Sequence, residues 1–292
     1  MDMATTLDAL DGVESLLLEL LDSITLAEWD EPTIVPGWRV RHVAAHLLDT
    51  ASRKLAIVRD CCVTEGPASG SPDDLRDFIN RLNADGVRVY GRLSPRVLRT
   101  LMAPVSAELC AYQRSVDPMA PAAFAVSWAG ESQSANWFDT ARELTERWHH
   151  QAQIRLALDA QALAAPPGGS AGVTALSRLM TRRLYHPVLD CFIRVLPYAY
   201  RHVSAPNGTV LSVRIDGEAG GAWQLVRDGD AWTLSTAASS DESAAAAVVV
   251  PEAFAWRLFT KGLSRDAAER VACIEGDRRL ALPLLSAVAI VG

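Results

Sequence analysis

Two segments about a hundred residues apart carry side chains that could bind a metal ion. Residues 36–48 read PGWRVRHVAAHLL, and residues 144–158 read LTERWHHQAQIRLAL. Each segment has the periodicity of a helix with polar residues on one face. Two imidazoles and a carboxylate from separate helices are typical of a catalytic metal site that keeps open coordination positions. The candidate ligands are His46 from the first segment, and Glu146 with either His149 or His150 from the second.

The spacing within each segment leaves the choice of ligand open. On a helix, Glu146 and His150 lie about 40° apart, and His149 lies about 60° from Glu146 on the other side. Neighbouring residues point about 100° apart, so the two histidines cannot easily act together with Glu146. His42 and His46 are also four residues apart. Four histidines therefore compete for about three ligand positions.

The alternative interpretation is that both polar stripes are solvated helix faces. The polar positions of the second segment lie opposite Leu144 and Trp148, and those of the first lie opposite Val43 and Leu47. Amphipathic helices of this kind usually turn the polar face to solvent. Against this, four of the six histidines in the chain fall on these two stripes. A helical bundle could turn both stripes toward one shared cleft.

The elements that must position these residues are helices up to about residue 162. Ser71 and Pro72 predict a helix start, and Ser94-Pro95 predicts an interruption, because proline disfavours helix continuation. The pattern predicts an N-terminal all-α four-helix bundle over residues 1–163. The predicted helical stretches are Leu7–Trp29, Trp38–Thr64, a third from about residue 72 to Val116, and Ser134–Ala162.

A Pro/Gly/Ser-rich linker at Ala164–Gly172 precedes a change of period. Residues 173–292 are predicted to form a smaller α+β domain with a small antiparallel sheet, and Asp228-Gly229 predicts a hairpin. Predicted helices are Val173–Leu184, His186–Tyr200, Pro251–Phe259 and Gly276–Val288, and predicted strands are Thr209–Asp216, Ala222–Arg227, Ala231–Ser235 and Ala245–Val250.

The composition excludes several classes of partner. A net charge of −7 and a pI near 5.4, without any basic run, argue against nucleic acid. No apolar run approaches the roughly 20 residues that a membrane-spanning helix needs. The N-terminus lacks the positive region of a secretory signal, and five cysteines without a scaffold spacing indicate reduced thiols. We expect a cytoplasmic protein that acts on a small molecule.

The order of these motifs resembles that of a known family. PGW-x-V-x-x-V-A-A-H-L, followed by E-x-x-x-H-x-x-x-I-R, is similar to the metal-binding bundle of the DinB-like superfamily, in its mycothiol-dependent maleylpyruvate isomerase branch. The later run V-A-C-I-E-G-D-x-x-L-A-L-P-L-L resembles the smaller C-terminal domain of that branch. The resemblance implies His46, Glu146 and His150 as ligands of a divalent metal, expected to be zinc. It also implies mycothiol, a low-molecular-weight thiol, as a cofactor.

The chain departs from this family pattern at three positions. His42 replaces a usual acidic residue, and Arg39 replaces a usual Ser or Thr helix cap. Gln153 stands where relatives commonly have Asp. A carboxylate that orients a ligand histidine must then come from elsewhere, and Asp49 or Glu143 is the expected source.

Other residues are candidates for binding the substrate or cofactor. Trp38 and Trp137 are predicted to line an apolar cleft, although core packing is the common role of tryptophan. Arg155 and Arg278 are candidates to bind a substrate carboxylate, although Arg155 would serve equally well in a surface ion pair. Glu146 is the candidate catalytic carboxylate.

Three functional hypotheses follow from the sequence. In the first, the metal stabilises a thiolate, and the protein is a thiol-dependent isomerase or S-transferase acting on a small anionic electrophile. In the second, water or the substrate takes the open position, and the protein is a thiol-independent lyase, hydrolase or cyclase. In the third, the protein binds a ligand without catalysis. Metal content and thiol dependence separate the three.

Overall fold

The computed structural model describes residues 2–69, 71–164, 169–235 and 244–290. Its N-terminal part is helical, as predicted. The third predicted helical stretch is two helices that meet at Ser94-Pro95, where Ser94 Oγ accepts the backbone N–H of Val97 at 3.4 Å. Ser71 caps the preceding helix in the same way, by accepting the N–H of Asp74 at 3.1 Å. The five long helices are α1 (Met3–Ser23), α2 (Val40–Lys54), α3 (Pro72–Tyr90), α4 (Pro95–Ser115) and α5 (Asn136–Ala157).

Helices α1, α2, α4 and α5 pack against one another, and α3 lies against α2. The close approach of α3 requires Gly86, because a Cβ atom there would lie 2.1 Å from Asp49 Oδ2. Helix α2 continues as a π-helical turn over Leu55–Arg59 and ends before the predicted residue 64. Cys61 has a φ of 56°, a left-handed conformation that a helix cannot continue through.

The described part of the second half contains short helices and one five-stranded sheet. Residues 165–168 of the predicted linker lie outside the described residues, and the linker prediction is wrong at its ends, because Ala164 and residues 170–172 are helical. Its helices are α6 (Ala160–Ala164), α7 (Ser170–Leu176), α8 (Arg182–Ile193), α9 (Leu196–Ala199), α10 (Glu252–Phe259), α11 (Arg265–Val271) and α12 (Arg278–Ala281). Its strands are β1 (Val210–Asp216), β2 (Gly221–Asp228), β3 (Ala231–Ser235), β4 (Ala246–Pro251) and β5 (Cys273–Gly276).

The sheet has the order β3-β2-β1-β4-β5 and is mixed. The predicted hairpin joins β2 and β3, and Gly229 adopts a φ of 57° in its turn. The prediction of an antiparallel sheet is wrong at one pair, because β4 runs parallel to β1, with Val213 opposite Val248. Alternating apolar residues specify which face is buried but carry no information about strand direction.

The C-terminal boundaries also differ from the prediction. The segment predicted as one helix over residues 276–288 is the short helix α12 followed by a 3₁₀ turn at Leu282–Ser286. Strand β5 and helix α11 were not predicted. Helix α8 begins at Arg182 rather than His186, and Pro187 falls inside its first two turns.

One hydrophobic core joins the bundle to the second half of the chain. Trp148 of α5 is fully buried, and its indole N–H donates to the Leu179 carbonyl at 3.0 Å. The same indole stacks on Tyr185 of α8, with ring centroids 4.4 Å apart, and meets Trp256 of α10 edge to face. None of the described helices is long and apolar enough to cross a lipid bilayer.

Candidate metal centre

Three side chains from α2 and α5 converge between these helices. His46 Nε2 lies 2.8 Å from Glu146 Oε1, and His150 Nε2 lies 3.2 Å from the same oxygen. The two imidazole rings are 4.6 Å apart and meet edge to face. One ligand atom from each of the three residues lies within 4.8 Å of the others, and this is the only such group of three among the described residues.

The donor set fits a divalent metal ion. Zinc–ligand distances of about 2.0–2.2 Å in a tetrahedron place neighbouring ligand atoms roughly 3.3 Å apart. The separations of 2.8 and 3.2 Å around Glu146 Oε1 are close to that value. Two nitrogens and one oxygen leave a fourth position open. The Glu146 side chain is 29% exposed, whereas that of His46 is 4% exposed, so the site opens to solvent on the Glu146 side.

The structure separates the four competing histidines. His149 turns its Nδ1 to the Thr145 carbonyl at 2.8 Å, and burial, followed by the nearby His150, lowers its pKa to about 3. His42 lies at the start of α2, where its Nδ1 accepts the Arg39 backbone N–H at 3.2 Å. This bond provides part of the cap that Arg39 does not supply.

The carboxylates of Asp49 and Glu143, which were expected to orient the ligand histidines, form no hydrogen bond with them in the described part of the chain. His150 Nδ1 lies 2.8 Å from Gln153 Oε1, which accepts when Nδ1 carries the proton. In the neutral imidazole this tautomer leaves Nε2 free to bind a metal. His46 Nδ1 is buried without a hydrogen-bond partner. Asp49 instead binds Arg53 at 2.7 Å, and Glu143 binds Lys54 at 3.2 Å.

The protonation states also suit metal binding. Burial opposes ionisation of Glu146, but the charge of His150 and the hydrogen bonds from His150 and His46 hold its pKa well below the ordinary value. Burial lowers the pKa of His46 and outweighs its hydrogen bond to Glu146. Near neutral pH the site therefore presents a carboxylate and a neutral His46 imidazole, the forms that bind cations.

Of the two candidate tryptophans, only Trp38 is at the centre. Its ring lies 5.3 Å from the His46 ring and 6.4 Å from the His150 ring, nearly parallel to the latter. Trp38 thus forms an aromatic wall over both histidines. Trp137 instead stacks on Phe138, and the Arg194 guanidinium lies over the Trp137 ring, 4.9 Å from the ring centroid.

The two candidate arginines contact other partners. Arg155 donates to the carbonyl of Leu16 and to Gln151, both at 3.3 Å, and Arg278 forms an ion pair with Glu269 on the C-terminal surface. Neither has a described contact with the three ligand residues.

Sequence reasoning overlooked a different arginine, Arg142. It lies one helical turn before Glu146 on α5, its side chain is 32% exposed, and it pairs with Asp139. The four-residue spacing from Glu146 was the signal that could have identified it.

Parts of the chain are similar to known proteins. Residues 11–155 match the family model described as the mycothiol maleylpyruvate isomerase N-terminal domain. Two crystal structures are similar at TM-score 0.49 over 88% of each chain: a mycothiol-dependent maleylpyruvate isomerase at 17% identity, and a histidine-to-alanine mutant of that protein at 16%. No curated protein matches the sequence significantly.

The helical N-terminal half and its family match identify a protein of the DinB-like class. The family model matches residues 11–155, which contain all three candidate ligand residues, and it identifies one family within this class. The chain belongs to the maleylpyruvate isomerase-like family.

Proposed function

We propose that this chain is a metal-dependent enzyme that uses a low-molecular-weight thiol. It either isomerises a small anionic electrophile with the help of that thiol or, as an S-transferase, attaches the thiol to it. The observation that carries the proposal is the convergence of His46, Glu146 and His150 within 4.8 Å. The family match of the N-terminal residues supports the thiol, because mycothiol stands in the family description.

The residues of the centre have two roles in this proposal. His46, Glu146 and His150 would hold a divalent metal, which would supply the positive charge that keeps a thiol ionised at neutral pH. The thiol would supply a nucleophile that adds reversibly to an activated double bond, so that the carbon–carbon bond can rotate before the thiolate is released and the double bond forms again. If the carbon–sulfur bond stays intact after protonation of the adduct, the product is a thioether. Trp38 shields one side of this space from water.

The local charge favours an anionic substrate. A dication held by one carboxylate and two imidazole ligands would keep a residual positive charge at the open position. Arg142 adds a second positive charge one turn from Glu146. A carboxylate on the electrophile would lie between these two charges, with Trp38 against its apolar part.

Metal binding is tested on purified protein by elemental analysis. We expect about one divalent ion per wild-type chain, retained in His202→Ala, which removes an exposed histidine of the second half. His46→Ala should lose the ion, because only two ligands remain. Unchanged metal content in His46→Ala would contradict the site.

Thiol dependence is tested with an α,β-unsaturated dicarboxylate in the presence and absence of mycothiol. Turnover should require the thiol, and Glu146→Gln should abolish it while the far-UV circular dichroism spectrum is unchanged. Full activity in thiol-free buffer would reject the thiol and favour the lyase, hydrolase or cyclase function. Full activity after complete metal removal would reject both kinds of enzyme.

A further inference from the structure

A buried arginine on α5 contacts α2 at the level of the candidate ligands. Arg147 follows the candidate ligand Glu146 on α5, and its side chain has no solvent exposure. Its Nη1 donates at 2.9 Å to the carbonyl of Leu47, the residue that follows His46 on α2. One hydrogen bond therefore connects the two ligand helices one residue away from a ligand on each side.

The other contacts of Arg147 fix its guanidinium in place. Nε lies 3.1 Å from Glu143 Oε1 on the same helix and 3.4 Å from Glu14 Oε1 on α1. An arginine guanidinium keeps its charge at neutral pH, and these two carboxylates lie close enough to offset it. Both Glu14 oxygens and Arg147 Nη2 lack hydrogen-bond partners, so the directional bonds go to Glu143 and Leu47.

A metal centre makes a stricter demand on helix position than a hydrophobic core does. Metal–ligand distances tolerate deviations of about 0.2 Å, whereas sliding a helix by one residue moves it about 1.5 Å. Apolar side chains can repack after a small shift, but a hydrogen bond between a charged guanidinium and a carbonyl weakens steeply when its geometry changes.

We propose that Arg147 is a positioning residue that holds α2 and α5 at the separation the three metal ligands require. The inference rests on the proposed metal site. Arg147 itself binds neither metal nor substrate, but it controls the distance between His46 Nε2 and Glu146 Oε1. It predicts that Arg147 governs metal affinity beyond its contribution to folding.

Gln151 provides a matched control one turn later on α5. It is also fully buried, and its Nε2 donates to the carbonyl of Val13 on α1 at 3.0 Å. Gln151 therefore makes the same kind of bond between helices, but to a helix that carries no ligand. Its loss should destabilise the fold without moving α2 relative to α5.

The experiment compares full-length wild type, Arg147→Met, Arg147→Lys and Gln151→Leu. Zinc affinity is measured by competition with a chromogenic chelator, and the visible spectrum of the cobalt(II)-substituted protein reports the coordination geometry. The stability of the metal-free proteins is measured by urea unfolding. Arg147→Met should weaken zinc binding about 10- to 100-fold and alter the cobalt spectrum. Arg147→Lys should recover part of the affinity, and Gln151→Leu should keep wild-type affinity despite lower stability.

Several outcomes would overturn the inference. Wild-type zinc affinity and an unchanged cobalt spectrum in Arg147→Met would reject a positioning role, as would an equal loss of affinity in Gln151→Leu. If Arg147→Met does not fold, Arg147→Lys provides the test. Wild-type zinc affinity and a wild-type cobalt spectrum in Arg147→Lys would then reject the positioning role. If the wild type itself binds no zinc or cobalt, the proposed metal site fails as well, which distinguishes that result from a failure of Arg147 alone.

Discussion

Gln153 gives His150 a hydrogen-bond acceptor without adding a charge. Its Oε1 lies 2.8 Å from His150 Nδ1, and both side chains are buried. A carboxylate at this position would make the imidazole a more basic ligand, whereas an amide oxygen mainly orients the ring. The centre should therefore hold its metal less tightly than one in which a carboxylate stands behind the histidine.

Substitutions of Gln153 should change the affinity of the centre for zinc. Gln153→Leu should weaken zinc binding about 10- to 100-fold, because His150 loses its orienting partner, and Gln153→Glu should strengthen it. Both affinities are measured by chelator competition. Gln113→Leu is the control, since Gln113 is equally buried but accepts from Thr140 on the far side of α5. Equal affinities in all four proteins would contradict the role of Gln153.

Spacing alone did not identify the ligand histidine of α5, because both His149 and His150 are compatible with Glu146 on a helix. The family resemblance implied His150, and the structure brings Glu146 and His150 to His46. The role of Gln153 could not be predicted, because an amide three residues from a histidine is common on helix surfaces. The cap formed by His42 was also missed, since histidine is not a usual residue for that position.

At the scale of elements, a buried row of charges continues the α2–α5 contact beyond the metal centre. Lys54, two turns after His46, lies 2.8 Å from Asp139 and 3.2 Å from Glu143. Arg142 pairs with Asp139 from the solvent side. The polar stripes of the two helices thus face each other, which is why the interpretation of solvated faces does not hold for α2 and α5.

Asp139 should make the stability of this contact depend on pH. Burial raises its pKa, but the charges of Lys54 and Arg142 outweigh burial and hold it below the ordinary value of 3.8. A lowered pKa in the folded state means that the ionised form stabilises the fold at pH values above about 3.8. That contribution is lost as the pH falls through the folded-state pKa.

We therefore predict that Asp139→Asn lowers the free energy of unfolding by about 3 kcal/mol at pH 7, because it leaves Lys54 with one fewer partner. The difference from wild type should shrink as the pH falls below about 4. Urea unfolding at a series of pH values measures both effects, with Asp77→Asn, an exposed aspartate, as control. A difference that stays constant down to pH 3 would rule out this explanation.

The limits of prediction at this scale have physical causes. Apolar periodicity and the Ser-Pro pairs predicted the helices and two of their starting points. The left-handed Cys61 that follows the π-helical turn after α2 has no sequence signature, so the end of that helix was missed. Strand β4 lies beside β1 rather than beside β3, and contacts between residues distant in sequence determine such pairings.

On the scale of the whole molecule, the two halves share one core. Helix α8 packs against both α1 and α5, and Trp148, Tyr185 and Trp256 form one buried aromatic group from three helices. The change of composition after residue 163 marks a change of secondary structure but does not mark a gap in packing. Helix α5, which carries two of the candidate ligands, therefore packs as much with the C-terminal half as with the N-terminal helices.

This arrangement predicts that residues 1–163 alone do not form a stable bundle. The fragment would expose Trp148 and the apolar residues around it, at a cost of about 25 cal/mol per Å² of apolar surface. Urea unfolding of the fragment, followed by circular dichroism, should lack a cooperative transition. The control is the full chain with a protease site inserted after Pro166, cut after folding, which should unfold cooperatively. A cooperative fragment with a midpoint near that of the full chain would refute the prediction.

Helix α5 is enclosed on every side directly after Glu146. Residues 147–154 are buried without interruption, and eight residues make more than two helical turns. Few substitutions there leave the fold intact, so this helix can contribute little to evolutionary change of substrate. Residues 33–38, which place Trp38 over the histidines, are half-buried or exposed, so their side chains are less restricted by packing. Divergence of substrate preference among proteins with this centre should therefore concentrate in that short turn, while the helix beneath it remains nearly fixed.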